Sequence, residues 1–177
     1  LQVLTKPPKK QGRGRKKKHN PLALFASSNM LVTHMPEDPN EGSFVAAISQ
    51  LKADILITSA YGKLISNDLL RQFTLGNINI HPSLLPRWRG PSPIQSTILE
   101  GDEKTGVTLM KMVPELDAGP VYVQEAIEVN DENAELLSDK LTLLASEMIE
   151  GFLPFFLNKI VETTAVSYTH LRAHETS

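Results

Sequence analysis

The sequence predicts an α/β protein built on a mostly parallel sheet flanked by helices. Short apolar segments with strand character alternate with segments whose apolar residues recur every three or four positions, as in helices. This alternation is typical of sheets that are covered by helices on both faces. A chain of 177 residues, 41% of them hydrophobic, is long enough to bury the core of one such domain.

The predicted strands are short runs of apolar and β-branched residues bounded by glycine, proline or polar residues. In chain order they are LQVLT (1–5), MLVTHM (30–35), DILITSAYGK (54–63), GNINIH (76–81), GVTLMKMV (106–113) and PVYVQEAIEV (120–129). The predicted helices show helical spacing of apolar residues, and several begin at capping residues. In chain order they cover 21–29, 40–52, 66–73, 92–101 and 133–160.

Capping residues and prolines mark several of the predicted boundaries. Asn20 followed by Pro21 is a good helix start, and Ser66 is suited to cap the short third helix. Pro154 is predicted to kink or end the last helix. PELDAG (114–119) is predicted to join the last two strands as a hairpin or tight loop. One side of the last helix is lined by Leu137, Leu141, Leu144 and Met148.

The net charge of −2 conceals a strong asymmetry. Residues 6–18, KPPKKQGRGRKKK, hold eight of the 18 basic residues and no acidic residue, so the rest of the chain carries 10 basic against 20 acidic residues. We predict a cationic loop that meets an anionic partner at one place. The alternative is a solvated surface loop, which is the commoner meaning of a charge run.

The composition also excludes several kinds of chemistry. Because the chain has no cysteine, disulfides, thiolate zinc sites and a cysteine nucleophile are excluded together. Metal binding would need more ligands than His81 offers, and Ser83 lacks the context of an activated nucleophile. No apolar run approaches the roughly 20 residues that a membrane span needs. We therefore predict neither a metal site nor a membrane segment.

The segment GNINIHPSLLPRWRG (76–90) holds the candidate catalytic residues. Since alternate residues of a strand point the same way, Asn79 and His81 project together from the strand end, and Ile78 and Ile80 face the other side. An amide donor beside an imidazole suits the stabilisation of an oxyanion, although structural roles for such a pair are commoner. Asp117 is either a turn former or a carboxylate that orients the imidazole, and the residues alone favour the turn.

Beyond this strand the chain is predicted to form a flexible, proline-broken loop that exposes basic and aromatic side chains. Trp88, between Arg87 and Arg89, suits base stacking and phosphate contact. The alternative is an indole that folds back onto the sheet.

Two motifs together resemble the folate-dependent formyltransferases. They are NINIHPSLLPRWRGPSPIQ and, further along the chain, GDEKTGVTLMKMVPELDAGPV, and the similarity runs from about Leu1 to about Ile160, including SAYGKLIS. The resemblance implies a Rossmann-like fold that lacks its first strand. It also implies an incomplete catalytic domain at 1–160, without the family's C-terminal barrel-like domain, and a non-native or disordered tail at 161–177.

The resemblance implies transfer of a formyl group from 10-formyltetrahydrofolate to the amino group of methionine on initiator tRNA, with no metal. Asn79, His81 and Asp117 would be catalytic, with Asn79 donating to the oxyanion and Asp117 holding a charged His81 imidazole. The folate would contact Ser59, Ala60, Tyr61, Gly62, Ser83, Leu84, Leu85 and Pro86. The tRNA would contact Arg13, Arg15, Lys16, Lys17, Arg87, Trp88 and Arg89.

Further expectations follow from the same resemblance. The protein is expected to be a monomer that does not bind membranes. It is expected in the bacterial cytoplasm, or in a mitochondrion or plastid if the source is eukaryotic and the leader is missing. Two alternatives stay open: a formyltransferase for a small amine, such as glycinamide ribonucleotide or an amino sugar nucleotide, and a non-enzymatic RNA-binding module.

Overall fold

The computed structural model of the chain describes residues 1–11 and 16–159. The chain forms two compact units, of which the first covers Leu1–Leu51 and the second begins at Lys52. In these described stretches, no helix is both long and apolar enough to cross a membrane. The predicted tail at 161–177 lies outside the described residues.

The first unit contains a parallel pair of strands, a basic hairpin and two helices. Its elements are β1 (Gln2–Leu4), β2 (Lys9–Gln11), β3 (Lys16–Lys18), α1 (Pro21–Ser28), β4 (Val32–His34) and α2 (Gly42–Gln50). β1 runs parallel to β4, with Val3 opposite Thr33. α1 begins as predicted, because the Asn20 side chain accepts a hydrogen bond of 2.9 Å from the Ala23 amide.

The basic segment contains a short antiparallel hairpin, so the prediction of a loop for residues 6–18 was wrong in this respect. β2 pairs with β3, and Lys9 lies opposite Lys18. Lysine is depleted in strands, which is why composition alone favoured a loop. The base of the hairpin is fixed by the Asn20 amide, which donates to Thr5 Oγ1 at 2.9 Å and to the Lys6 carbonyl at 3.1 Å.

The second unit contains a four-stranded mixed sheet. Its elements are β5 (Ile55–Ser59), α3 (Asn67–Leu70), β6 (Gly76–His81), α4 (Pro93–Leu99), β7 (Lys104–Met110), β8 (Val121–Glu128) and α5 (Ala134–Leu157). The strand order is β5-β6-β7-β8; β5 and β6 are parallel, and the other two pairs are antiparallel. The α/β class is confirmed, with a mixed sheet in place of a mostly parallel one.

The direction of β7 follows from the connection that precedes it. His81, the last residue of β6, lies opposite Thr108 in the antiparallel register. Lys104, the first residue of β7, therefore lies beyond the end of β6. The chain therefore re-enters the sheet at the edge where β6 ended, and β7 runs antiparallel to β6.

The core of the second unit lies between the sheet and α5. Its buried residues are Ile78, Val107, Leu109, Leu137, Leu141, Leu144, Met148 and Phe156. The predicted apolar side of α5 is thus confirmed. The helix does not end at Pro154 and continues to Leu157. Pro154 is exposed, so water can solvate the carbonyl that loses its helical partner there.

Candidate active site

The candidate residues gather where β5 and β6 end. These parallel strands finish at the same sheet edge, with Thr58 opposite Asn79 and Ser59 opposite Ile80. Strand alternation places Asn79 and His81 on one face and Ile78 on the other, where it is fully buried in the α5 core. The carboxyl edge of parallel strands is where α/β sheets commonly hold their sites.

The His81 imidazole lies between two hydrogen-bond acceptors. Its Nε2 is 2.9 Å from the Trp88 carbonyl oxygen, and its Nδ1 is 3.6 Å from Asp117 Oδ2. A carbonyl oxygen can only accept, so Nε2 carries a proton in this arrangement. Nδ1 is therefore the ring nitrogen that can exchange a proton, and it faces a carboxylate. The ring is only 5% exposed, so its surroundings hold it firmly.

Asp117 combines the two roles that the sequence left open. Its backbone is left-handed, with φ of 46°, which is a turn conformation that aspartate tolerates. Its carboxylate faces His81 and also accepts a hydrogen bond of 2.8 Å from the Gly90 amide. One residue thus shapes the connection between β7 and β8 and places a charge beside the imidazole.

The loop that carries Asp117 is held at its base by two contacts. The buried Asn77 side chain accepts a hydrogen bond of 2.6 Å from the Met112 amide. Gly119 approaches the opposite side of the loop so closely that a Cβ on it would lie 1.8 Å from the Lys111 carbonyl oxygen. These contacts fix where the loop brings Asp117 toward the end of β6.

Asn79 differs from its neighbour Asn77 in its hydrogen bonding. Both lie on the same strand face, but Asn77 is committed to the Met112 backbone. Asn79 is half-buried, and its side chain makes no hydrogen bond to any other part of the described chain. Its amide N–H groups can therefore be donated to a bound molecule.

The first predicted folate segment, 59–62, begins with Ser59, the last residue of β5. Ser59, Ala60 and Gly62 are exposed and Tyr61 is half-buried. Ala60 and Gly62 adopt left-handed backbone conformations, with φ of 49° and 64°. The chain therefore leaves strand geometry directly after β5, at the edge that carries His81. The folate role of this segment remains a prediction.

The second predicted folate segment, 83–86, is packed against the sheet. Ser83 is fully buried and its hydroxyl donates to the Arg87 carbonyl at 2.6 Å, while Leu85 is also buried. Leu84 fills the space beside Gly106, with its Cδ2 2.7 Å from where a Cβ would be. The hydroxyl of Ser83 and the side chains of Leu84 and Leu85 thus maintain the loop. The folate role of this segment remains a prediction.

Two residues that sequence reasoning missed hold this loop in place. The fully buried Thr108 hydroxyl donates to the Ser83 carbonyl at 2.6 Å and accepts from the Leu85 amide at 3.2 Å. Gln124 donates to Thr108 Oγ1 at 2.8 Å and to the Leu85 carbonyl at 2.9 Å. For Thr108 the available signal was a polar residue at an apolar position of its strand, where burial demands a partner. Gln124 is exposed and gave no such signal.

The loop 87–89 is anchored, which corrects the prediction of a flexible loop. Both Arg87 and the Trp88 indole bind the carboxylate of Asp102, and the guanidinium of Arg87 lies 4.1 Å from the centre of the indole ring. Hydrogen bonds from Arg87 hold the pKa of Asp102 below its ordinary value against the opposing effect of burial, and Trp88 adds to the lowering. Arg89 is half-buried. Contact of these residues with tRNA remains a prediction.

The predicted tRNA contacts in the first unit are only partly described. Arg13 and Arg15 lie outside the described residues, and of Lys16 only the backbone is described, as part of β3. The Lys17 side chain is exposed on the hairpin. Across the described part of the chain, no cluster of three or more histidine, aspartate or glutamate side chains forms a metal site.

The fold and the site define an α/β protein with a polar cluster beyond its parallel strands, and comparison with known proteins specifies the family. A family model described as formyl transferase matches residues 1–150. The chain belongs to the formyl transferase family.

Methionyl-tRNA formyltransferases are among its most similar relatives. That of Thermotoga maritima is 41% identical over 152 residues, which cover 85% of this chain and 49% of that protein. That of Staphylococcus epidermidis is 34% identical over 159 residues, which cover 89% of this chain and 51% of that protein. The chain thus spans about half the length of these relatives.

Solved structures of more distant formyltransferases share the fold. Phosphoribosylglycinamide formyltransferase from Bacillus halodurans matches with a TM-score of 0.68 at 23% identity, covering 90% of this chain and 80% of that one. The formyltransferase PseJ from Anoxybacillus kamchatkensis, solved with a formamido sugar nucleotide and tetrahydrofolate, matches with a TM-score of 0.66 at 19% identity, covering 95% and 82%. The predicted formyltransferase fold is confirmed by these matches.

Proposed function

We propose that the protein transfers a formyl group from 10-formyltetrahydrofolate to the amino group of methionyl-tRNA. The observation that carries the proposal is the His81–Asp117 pair at the end of β6, with the open Asn79 amide on the same strand face. This arrangement occurs in a chain whose relatives at 34–41% identity are methionyl-tRNA formyltransferases. A folate-type donor is also in keeping with the tetrahydrofolate that PseJ binds.

The reaction needs an oxyanion site and a route for one proton. When the amine attacks the formyl carbon, a C–N bond forms and the carbonyl oxygen becomes negative. Asn79 is placed to donate a hydrogen bond to that oxygen. As the oxyanion collapses to the carbonyl of the new amide, the bond from carbon to the folate nitrogen breaks, and that nitrogen takes up the proton that the amine loses. His81 Nδ1 is the group that can move this proton, because Nε2 is committed to the Trp88 carbonyl.

The hairpin of β2 and β3 supports tRNA as the acceptor. Lys9 lies opposite Lys18 and both side chains are exposed, so like charges face each other across the two strands. Such pairs are destabilising, and a polyanion that contacts them relieves the repulsion. The Asn20 side chain fixes the base of the hairpin by two hydrogen bonds, and the hairpin carries the cationic surface.

The two alternatives are less well supported. A small amine has no need for an extended cationic hairpin, and the solved enzymes named for small substrates are only 19–23% identical to this chain. A non-enzymatic RNA-binding module would leave Asn79, His81 and Asp117 without a purpose. The tRNA formyltransferase accounts for both the hairpin and the strand-end cluster.

The catalytic assignment can be tested by formyl transfer in the protein at its natural length. We expect Asn79→Ala and His81→Ala each to lower kcat by ~10²-fold or more, as the loss of one oxyanion donor does. Folate affinity should change much less. His34→Ala, which changes a histidine outside the candidate site, is the control and should retain the rate. Turnover near that of the wild type in either site variant would contradict the assignment.

The acceptor can be tested through the salt dependence of kcat/KM with methionyl-tRNA. Neutralising Lys17 and Lys18 should make the salt slope shallower, because counterion release scales with the number of phosphates contacted. The matched control neutralises Lys52 and Lys159, two exposed lysines outside the hairpin, and should leave the slope unchanged. We also expect Arg13→Ala to impair transfer to the tRNA more strongly than Lys17→Ala. Equal slopes for all three proteins would favour a small amine as the acceptor.

A further inference from the structure

One carboxylate outside the candidate site accepts three hydrogen bonds from the loop that follows β6. Asp102, between α4 and β7, accepts from Arg87 Nε at 2.9 Å and from Arg87 Nη2 at 2.6 Å. Its Oδ2 also accepts from the Trp88 indole at 2.6 Å. The side chain of Asp102 is only 14% exposed, so water competes weakly for these bonds.

The same tryptophan reaches the candidate catalytic histidine through its backbone. The Trp88 carbonyl is 2.9 Å from His81 Nε2. Trp88 holds a φ of 59°, a left-handed conformation that costs a bulky residue about 1 kcal/mol or more. Some other interaction must offset this strain. The indole bond to Asp102 and the stacked Arg87 side chain are the contacts in place to do so.

We propose that Asp102 is a positioning residue that acts on His81 through Trp88. By binding the indole and the neighbouring guanidinium, it holds the tryptophan backbone in the conformation that presents its carbonyl to Nε2. That carbonyl keeps the proton on Nε2 and leaves Nδ1, beside Asp117, as the nitrogen that exchanges protons. The consequence for catalysis rests on the proposed function, whereas the link from Asp102 to His81 does not.

A purely structural role would have a different signature. If Asp102 merely stabilised the loop, its loss would lower the free energy of unfolding and leave the proton position on His81 unchanged. If it acts through Trp88, removing the indole N–H should have the same effect on His81 as changing Asp102. The two changes together should then add little to either alone, because both break the same chain of contacts.

The test is nitrogen NMR of the histidine side chains in the 177-residue chain and in variants. The spectra are assigned by comparison with His81→Gln. The wild type should show a protonated Nε2 and an unprotonated or partly protonated Nδ1 for His81. Asp102→Asn should shift both His81 ring nitrogens toward a mixture of tautomers, and Trp88→Phe should do the same. The double variant should resemble the single ones.

The matched control is Glu128→Gln, which breaks the exposed ion pair of Glu128 with Lys104 at 3.0 Å. This variant should leave the His81 spectrum unchanged. In the protein at its natural length, Asp102→Asn should lower kcat for formyl transfer by ~10-fold, as small misplacements of a catalytic group do, while KM stays within about twofold. Glu128→Gln should alter neither value.

The outcomes separate this proposal from the proposed function. If the wild type transfers no formyl group, the proposed function fails, but the NMR comparison still tests the link. Unchanged His81 nitrogens in folded Asp102→Asn would overturn the proposal, as would a Glu128→Gln effect of equal size. If Asp102→Asn does not fold, Trp88→Phe provides the test. Unchanged signals of the His81 ring nitrogens in that variant would also overturn the proposal.

Discussion

The hydroxyl of Thr108 offers the sharpest test of how the candidate site is held. Thr108→Val keeps the shape of the side chain but removes a hydroxyl that makes three hydrogen bonds, to the Ser83 carbonyl, the Leu85 amide and the Gln124 amide. Because Thr108 is fully buried, water cannot replace these bonds. Two backbone groups lose their partner, and each costs about 1–2 kcal/mol when left unpaired in the interior.

We therefore expect Thr108→Val to lower the free energy of unfolding by about 2–4 kcal/mol. For a domain of this size that corresponds to a fall in Tm of roughly 5–12 °C. Chemical denaturation gives the free energy, and native-state hydrogen exchange gives a local measurement at the Leu85 amide, whose acceptor is removed. Protection of that amide should fall further than protection of amides in the centre of α5.

Thr105→Val on the same strand is the matched control. Thr105 is also buried, but within the described residues its hydroxyl makes one hydrogen bond, of 3.4 Å, with the Thr97 hydroxyl. Its loss should cost about 1 kcal/mol or less. If Thr108→Val is as stable as Thr105→Val and the Leu85 amide keeps its protection, the loop is held by other contacts and the reasoning is wrong.

Two further predictions concern a glycine and a tyrosine. Gly119→Ala should lower the free energy of unfolding by at least ~3 kcal/mol, because the added Cβ would meet the Lys111 carbonyl oxygen. The control is Gly151→Ala, on the open surface of a helix, which should raise the free energy of unfolding by up to about 1 kcal/mol. Thermal denaturation should therefore give shifts of opposite sign. Burial raises the pKa of Tyr122 to about 12. The contribution of its neutral phenol to the free energy of unfolding should therefore be fully present below pH ~10 and decline as the pH rises toward 12. Ultraviolet titration should find a phenol that titrates well above pH ~10 and that Tyr122→Phe removes; loss of a phenol titrating near pH ~10 in that variant would contradict this.

The parts of the molecule that local patterns encode were predictable from the sequence. Strand alternation alone put Asn79 and His81 on one face, because a period of two fixes side-chain direction without reference to the rest of the fold. The caps at Asn20 and Ser66 were predictable for a similar reason, since each cap bonds to an amide only three residues ahead. Only the family resemblance predicted that Asp117 lies beside Asn79 and His81. A separation of 36 residues from His81 carries no such information.

The interactions that were missed join residues far apart in the chain. Gln124 reaches the Leu85 carbonyl across 39 residues, and Asp102 meets Trp88 across 14. No period or motif length links such positions, and a polar residue inside a strand signals only that a partner must exist. The direction of β7 was missed for the same reason, because it depends on the edge at which the connection 82–103 returns to the sheet.

The candidate site is therefore organised by residues from several separate segments of the chain. His81 comes from a strand end, but the two acceptors that flank its ring come from separate loops, at Trp88 and at Asp117. Each loop is fixed by a different anchor: Asp102 holds the first, and Asn77 with the close approach of Gly119 holds the second. The two loops are joined by the hydrogen bond from the Gly90 amide to the Asp117 carboxylate, and a proton that leaves one ring nitrogen of a neutral imidazole appears on the other. Loss of Asp102 or of the Asn77 contact should therefore shift both His81 ring nitrogens.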